Sequence, residues 1–375
     1  MKKRLALLAC MAASAAAIAS AGPAAASSKT PDYDVLAGGF VSPLHVTAGH
    51  GKSVQVSQDF AGKLTRIARD GTTEDLSTGT SQGWEVAGAD TRGNTTYFLE
   101  SVGAGQGDPA GLHGYLKSID ARGDVDTIAD FAGYERRHNP DGDQHYGFGD
   151  DVSARCLAAW PKFPPATYKG IVDSHPYALA VRGNTAYVAD AGMNAVLKVN
   201  LKNGDIDTVA VLPPRPAVVP AGLRIPTDMM GNTVEVPACV VGHEYAFEPV
   251  PTDVGIGPDG MLYVTSLPGG PEGPELGARG AIFRINPWNG DTDLWAEDIL
   301  SPTGLAIAGN GDVYVASLFG GEILKFTCNG DRSRFLTVNM PADVDISDHT
   351  LYATIDALGD PSQPPAGKVI KADLR

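Results

Sequence analysis

The sequence predicts an all-β protein, a six-bladed β-propeller built from four-stranded antiparallel blades. Three observations predict it. A unit of short apolar runs between Gly-rich turns recurs six times from Pro43 to Lys371. The first five copies end in a fourth strand that the sixth lacks, and a matching strand stands at the opposite end of the chain, at 33–37. With Gly 45, Pro 27 and 43% hydrophobic residues, the composition suits a turn-rich β protein and is too apolar for disorder.

The elements follow in order. Copy one places strands at 43–46, 54–56 and 64–67; copy two at 84–86, 96–99 and 115–119. Copy three reads 176–179, 186–188, 196–199 and 207–212, and copy four 251–254, 262–264, 281–285 and 293–296. Copy five, the plainest, reads 305–308, 313–316, 323–326 and 334–338; copy six reads 341–344, 351–353 and 368–371. Runs this short, rich in Val, Ile and Tyr, are strands. Asn310-Gly311-Asp312 and its counterparts Asn203-Gly204-Asp205, Asn289-Gly290-Asp291 and Asn329-Gly330-Asp331 are turns, because these residues tolerate positive φ. Tyr187, Tyr263 and Tyr314 at strand centres are expected to pack between blades. Four-stranded sheets repeated around a channel make a propeller. The 33–37 strand would complete the last blade and close the ring.

Almost all extra sequence falls on one side of such a ring. The links 102–114, 268–280 and 357–367 and the two long irregular insertions, 132–174 and 213–250, emerge on the same face. Binding and catalysis concentrate on loops over a rigid scaffold.

Residues 1–26 read as a cleaved signal peptide: a basic start at Lys2-Lys3-Arg4, an apolar run and Ala24-Ala25-Ala26 as the cleavage pattern. The mature domain is then 27–375, secreted. Only five apolar residues precede Cys10, short for a lipoprotein signal, so soluble export is the reading, with lipid anchoring at Cys10 the alternative. No later run is long and apolar enough to span a bilayer. Export permits a disulfide, and the insertions have most to gain from one; Cys156–Cys239 is expected, with Cys328 outside it. The net charge of −15, with no basic cluster beyond the N-terminus to offset it, argues against nucleic acid as a partner. The chain is expected to be monomeric.

The first residues of the innermost strands approach the channel mouth. Two places after Pro (or after Gly83) stand His45, Glu85, Ala178, Asp253, Gly304 and Asp343. Glu85, Asp253 and Asp343 could converge on an oxygen-preferring cation such as Ca²⁺; the alternative is that such groups bond backbone amides. His175 and Glu248 reach the mouth from the insertions and could act as an acid–base pair, or simply order the loops. Asn139-Pro140-Asp141-Gly142-Asp143, with Asp150-Asp151 beyond, has the alternating oxygens of a calcium loop but lacks Gly at the sixth place and a terminal Glu, and reads as a solvated acidic loop. No GxSxG, HExxH, Walker or paired CxxC motif occurs.

Several stretches carry a resemblance. Asp173-Ser174-His175-Pro176-Tyr177, Cys239-Val240-Val241-Gly242-His243-Glu244-Tyr245, Phe247-Glu248-Pro249-Val250-Pro251-Thr252-Asp253-Val254 and Leu267-Pro268-Gly269-Gly270-Pro271-Glu272 resemble the ScyD/ScyE family of exported bacterial proteins, frequent in actinobacteria. The resemblance implies a six-bladed propeller of the TolB-like kind, with NHL and SMP-30-like relatives, and no settled activity. SMP-30 lactonases hold metal with Asn and Asp directly after the strand-opening Pro; Leu44, Tyr177, Thr252, Thr303 and Ala342 stand there here, which argues against that site. The expectation is a binding protein for a small molecule, glycan or protein. The alternatives are a cation-dependent hydrolase or lyase at the channel mouth, and a cell-envelope scaffold.

Overall fold

A computed structural model describes residues 31–49, 53–226, 232–272, 274–360 and 362–374. The predicted signal segment 1–26, with Cys10, lies outside them. The repeat appears as six four-stranded antiparallel sheets, five of them built from consecutive strands. Sheet I comprises Pro43–Ala48, Val54–Gln58, Lys63–Ile67 and Thr73–Thr78. Sheet II comprises Glu85–Arg92, Thr95–Val102, His113–Ile119 and Val125–Asp130, and sheet III Pro176–Arg182, Thr185–Asp190, Ala195–Asn200 and Ile206–Val211. Sheet IV runs Pro251–Ile256, Leu262–Ser266, Gly280–Ile285, Thr292–Ile299; sheet V runs Pro302–Ile307, Val313–Ser317, Glu322–Phe326, Arg332–Thr337. Sheet VI takes Val344–Ser347, Thr350–Ile355 and Gly367–Asp373, and its fourth strand is the N-terminal Tyr33–Phe40.

Local chemistry explains the hairpins. At Asn310-Gly311-Asp312, Asp312 N donates to Asn310 Oδ1 (3.1 Å) and Asn310 Nδ2 to Asp312 Oδ2 (3.0 Å), while Gly311 takes φ +87°. Asn203–Asp205 and Asn289–Asp291 make the same pair of bonds around Gly204 and Gly290. The side chains supply partners that a tight turn denies its backbone.

The first strand of each sheet lies beside that of the next, and the first strand of sheet VI lies beside that of sheet I. Each gap between neighbouring sheets is filled by its own apolar cluster. Leu64, Val86 and Phe98 join sheets I and II; Leu99, Leu116, Val188 and Leu197 join II and III. Val196, Val264 and Phe283 join III and IV; Ile282, Leu305 and Val315 join IV and V. Ile323, Leu351 and Ile370 join V and VI, and Phe40, Val46, Val56 and Val369 join VI and I. Tyr263 and Tyr314 sit in these clusters and Tyr187 packs against one, as their places at strand centres suggested. Burial of one such side chain is worth about 1.5–3 kcal/mol.

The two insertions are not irregular. His145–Phe148, Thr167–Lys169, Arg215–Val218 and Glu244–Phe247 form a seventh four-stranded sheet, drawn from both insertions. It carries a separate core of Phe148, Trp160, Val219, Val240, Tyr245 and Phe247. The Cys156–Cys239 bridge is present, with Cα atoms 5.9 Å apart, and ties one insertion to the other within that core. Cys328 is exposed and outside it. The strands escaped sequence reading because they are three or four residues long and pair across distant segments. Among the described residues, no helix is long and apolar enough to cross a membrane.

Candidate functional site

Residues 45–47, 88–90, 178–181, 253–256, 305–307 and 343–345, one segment from the first strand of each sheet, line a common cavity of about 240 Å³. Four carboxylates face it, and each clasps two neighbouring sheets. Asp343 Oδ1 accepts from Val344 N (2.7 Å) and Oδ2 from Val46 N (2.8 Å). Asp345 accepts from Ile346 N and Ala48 N, both at 2.6 Å. Asp253 accepts from Val254 N (2.7 Å) and Leu305 N (2.6 Å), and Asp90 from Thr91 N and Val181 N, both at 2.6 Å. These are first strands whose inward N–H groups have no further strand to pair with, so the carboxylates supply the acceptors. Burial pushes Asp253 and Asp90 up to about 7 and raises Asp343 and Asp345, against the pull of the amide bonds. Gly304 makes room: a Cβ there would lie 2.1 Å from Asp343 Oδ1.

The expected convergence of Glu85, Asp253 and Asp343 is not what the fold builds. Backbone amides hold both oxygens of each aspartate. A bulge between Val86 and Ala89 sets Glu85 opposite Ser101, as Pro251 is set opposite Ser266, and brings Gly88 into the cavity wall instead. Among the described residues no three His, Cys, Asp or Glu side chains come together as a metal-holding group. His45 is buried at the end of the cavity, its ring edge on Tyr177 (4.5 Å between centroids) and its Nε2 3.5 Å from Asp59 Oδ2. Burial, with the charge of His175, lowers His45 to about 3, and burial raises Asp59 well above the usual carboxylate range.

Glu85 instead joins His175 on the loop-rich face. Glu85 Oε2 lies 2.8 Å from His175 Nε2. Asp190, buried at the end of the second strand of sheet III, fixes the histidine's backbone: it accepts from His175 N (2.7 Å), Ser174 Oγ (2.8 Å) and Met193 N (3.1 Å). Burial works to lower His175, but the bond and charge of Glu85, helped by Asp190 and Asp173, raise it above its ordinary value. Glu248, the expected partner of His175, bonds Tyr168 Oη instead (2.9 Å), and burial raises it.

His175, Glu85 and Glu248 nevertheless line one cleft, of about 290 Å³, with Ser101 and Asp173. It adjoins an outer chamber of about 780 Å³ walled by Phe163, Pro164, Tyr168, Ile171, Tyr245 and Phe247; Asp173, Glu248, Gly105 and Gln106 border both. Among the described residues, no Lys or Arg lines either part. Those dimensions are typical of small-molecule sites, which combine an apolar wall with a few convergent polar groups. Asp345 was findable from sequence, since it stands two residues beyond Asp343 on the same strand face. Asp90 was hidden by the bulge, and the Tyr168–Phe247 wall by the unrecognised sheet.

No family model matches the sequence, and no curated protein matches it. Solved structures do resemble it. A putative oxidoreductase (glucose dehydrogenase) from Thermus thermophilus aligns with a TM-score of 0.55 at 14% identity, covering 91% of this chain and 99% of that one. A gluconolactonase from Xanthomonas campestris aligns at 0.53 and 12% identity over 94% and 93%. The PQQ-bound aldose sugar dehydrogenase from Streptomyces coelicolor aligns at 0.53 and 13% identity over 91% and 97%. These are β-propeller proteins, and the likeness is one of fold: the chain is all-β and propeller-like.

Proposed function

We propose that this chain is an exported, six-bladed propeller of the ScyD/ScyE type, closed by its N-terminal strand, that binds a small organic molecule in the cleft on its loop-rich face. The observation that carries the reading is the pairing of an acidic inner end, Glu85, Asp173 and Glu248 around His175, with an aromatic outer wall. That chemistry suits a ligand with an aromatic or aliphatic body and a cationic, hydrogen-bond-donating end. The pairing of Tyr33–Phe40 with Gly367–Asp373 supports the closure. Thermal denaturation with three probes that share one body tests the ligand class: tyramine, 4-hydroxyphenethyl alcohol and 4-hydroxyphenylacetate. Saturable stabilisation by the amine alone supports it. Equal or better stabilisation by the acid, or none by the amine, overturns it.

One observation favours a second reading, a hydrolase or lyase. The Glu85–His175 bond places a partly exposed imidazole, raised in basicity, at the inner end of the cleft, where general acid–base work is feasible.

A further inference from the structure

Buried polar groups outside the cleft are mostly answered within the fold. Asp141 is not the solvated loop residue that its sequence context suggested: it is buried, and its Oδ2 accepts from Tyr146 Oη (3.0 Å) and Asn194 Nδ2 (2.9 Å). Gln55 is different. It is buried on the second strand of sheet I, and its Oε1 has no hydrogen-bond partner among the described residues. An amide oxygen left buried and unpaired costs about 1–3 kcal/mol.

The repeat shows what is unusual about this position. Tyr97, Tyr187, Tyr263, Tyr314 and Tyr352 stand at the same register in the second strands of sheets II to VI as Gln55 does in sheet I. Each tyrosine lies in or against the apolar cluster that fills the gap between its own sheet and the next. Sheet I alone puts an amide there. The gap between sheets I and II holds a groove of about 430 Å³, and Gln55 forms part of its wall. The groove opens among the tight turns at 93–94 and 121–123, at the opposite end of the sheets from the loop-rich face.

The groove is polar without a charge to spare. Gln55 Nε2 donates across the gap to Thr96 Oγ1 (2.7 Å), which lies 3.3 Å from Thr91 Oγ1, so an amide and two hydroxyls run in one chain. The charges around them are spent on one another. Arg66 Nη2 meets Glu74 Oε2 at 2.6 Å, Lys63 Nζ meets Asp75 Oδ2 at 2.8 Å, and Arg122 lends its charge to Asp120. Leu76 and Ile119 add an apolar strip to the wall. Amides and hydroxyls both give and take hydrogen bonds, as sugar hydroxyls do, and an apolar strip covers the C–H face of a pyranose ring. The volume falls within the range of small-molecule sites, about 300–1,000 Å³.

We infer that the groove between sheets I and II is a second binding site, for one residue of a neutral carbohydrate, with the Gln55 amide and the Thr91 hydroxyl as its polar anchors. A sugar hydroxyl would supply the donor that Gln55 Oε1 lacks. The site is separate from the cleft and does not rest on the ligand proposed there.

Methyl NMR of the full mature chain tests the site with three probes: methyl α-D-glucopyranoside, methyl α-D-mannopyranoside and methyl β-D-galactopyranoside. At least one should shift the Leu76 and Ile119 methyl signals saturably and leave Ile171, in the outer chamber of the cleft, unmoved. Gln55→Tyr places here the residue type of the other five sheets and should weaken that binding at least tenfold. Thr91→Val, which removes one hydroxyl at nearly constant size, should weaken it several-fold and decides the matter if Gln55→Tyr fails to fold. The absence of a saturable shift with all three probes overturns the inference and leaves the Gln55 amide to water. So does a response centred on Ile171, or one that survives both substitutions.

Discussion

His175 Nε2 and Glu85 Oε2 meet at 2.8 Å across the boundary between sheets II and III. The bond ties the entry of one sheet to the first strand of another and sets the charge at the inner end of the cleft. Because Glu85 raises His175, the folded pKa lies above the ordinary 6.5. The stabilisation is then fully present below that ordinary value and is lost as pH rises through the folded value. Glu85→Gln should lower the His175 titration midpoint followed by NMR, and its stability deficit should be largest at acid pH. A midpoint that does not move contradicts the assignment.

The channel aspartates predict the same direction for a different reason. Burial pushes Asp253 up to about 7, above its value of 3.8 when unfolded, so the folded state holds the extra proton between those values. Its contribution to stability falls as pH rises from about 4 through about 7, by up to about 1.4 kcal/mol per unit. Asp253→Asn gives up one amide bond, about 1 kcal/mol, and escapes that penalty. Urea midpoints should show the wild type ahead of Asp253→Asn at about pH 4, with the gap shrinking or reversing by about pH 8. A gap that widens with pH refutes the linkage.

The Cys156–Cys239 bridge closes a sequence separation of 83 residues. Replacing both cysteines by serine should cost about 2–4 kcal/mol. Hydrogen exchange should locate the loss in the inserted sheet, around Phe148, Trp160 and Tyr245, and leave sheet V unchanged. Protection lost evenly across sheets I to VI would show that the insertions are integral to those six sheets.

Deleting 33–40 removes the fourth strand of sheet VI together with Phe40, which packs on Val46 of sheet I. The deletion should cost more than about 3 kcal/mol, since it exposes Phe40's partners and one whole strand edge. Thermal unfolding checks it, and an unchanged melting temperature contradicts closure by this strand.

The sequence made the repeating sheets and the N-terminal fourth strand of sheet VI legible through short apolar runs, Asn-Gly-Asp turns, and a fourth strand missing at one end and present at the other. The cleft was legible only in part. His175, Glu85 and Glu248 were all recognised as mouth residues, but their partners depend on register. A bulge at Ala87–Gly88 moves Glu85 out of line with Asp253 and towards His175. Tyr168 claims Glu248 through a sheet whose strands are too short to carry a period. Asp253 and Asp343 looked like convergent ligands because residue type says nothing of which amide a carboxylate meets.

The central claim is that ligand sits in the cleft on the loop-rich face and not in the channel. Isothermal titration of tyramine into the wild type, Glu248→Gln and Asp253→Asn tests it directly. Saturable binding that weakens at least tenfold in Glu248→Gln and is unchanged in Asp253→Asn is the predicted result. Binding that is indifferent to Glu248→Gln and lost in Asp253→Asn would contradict the account.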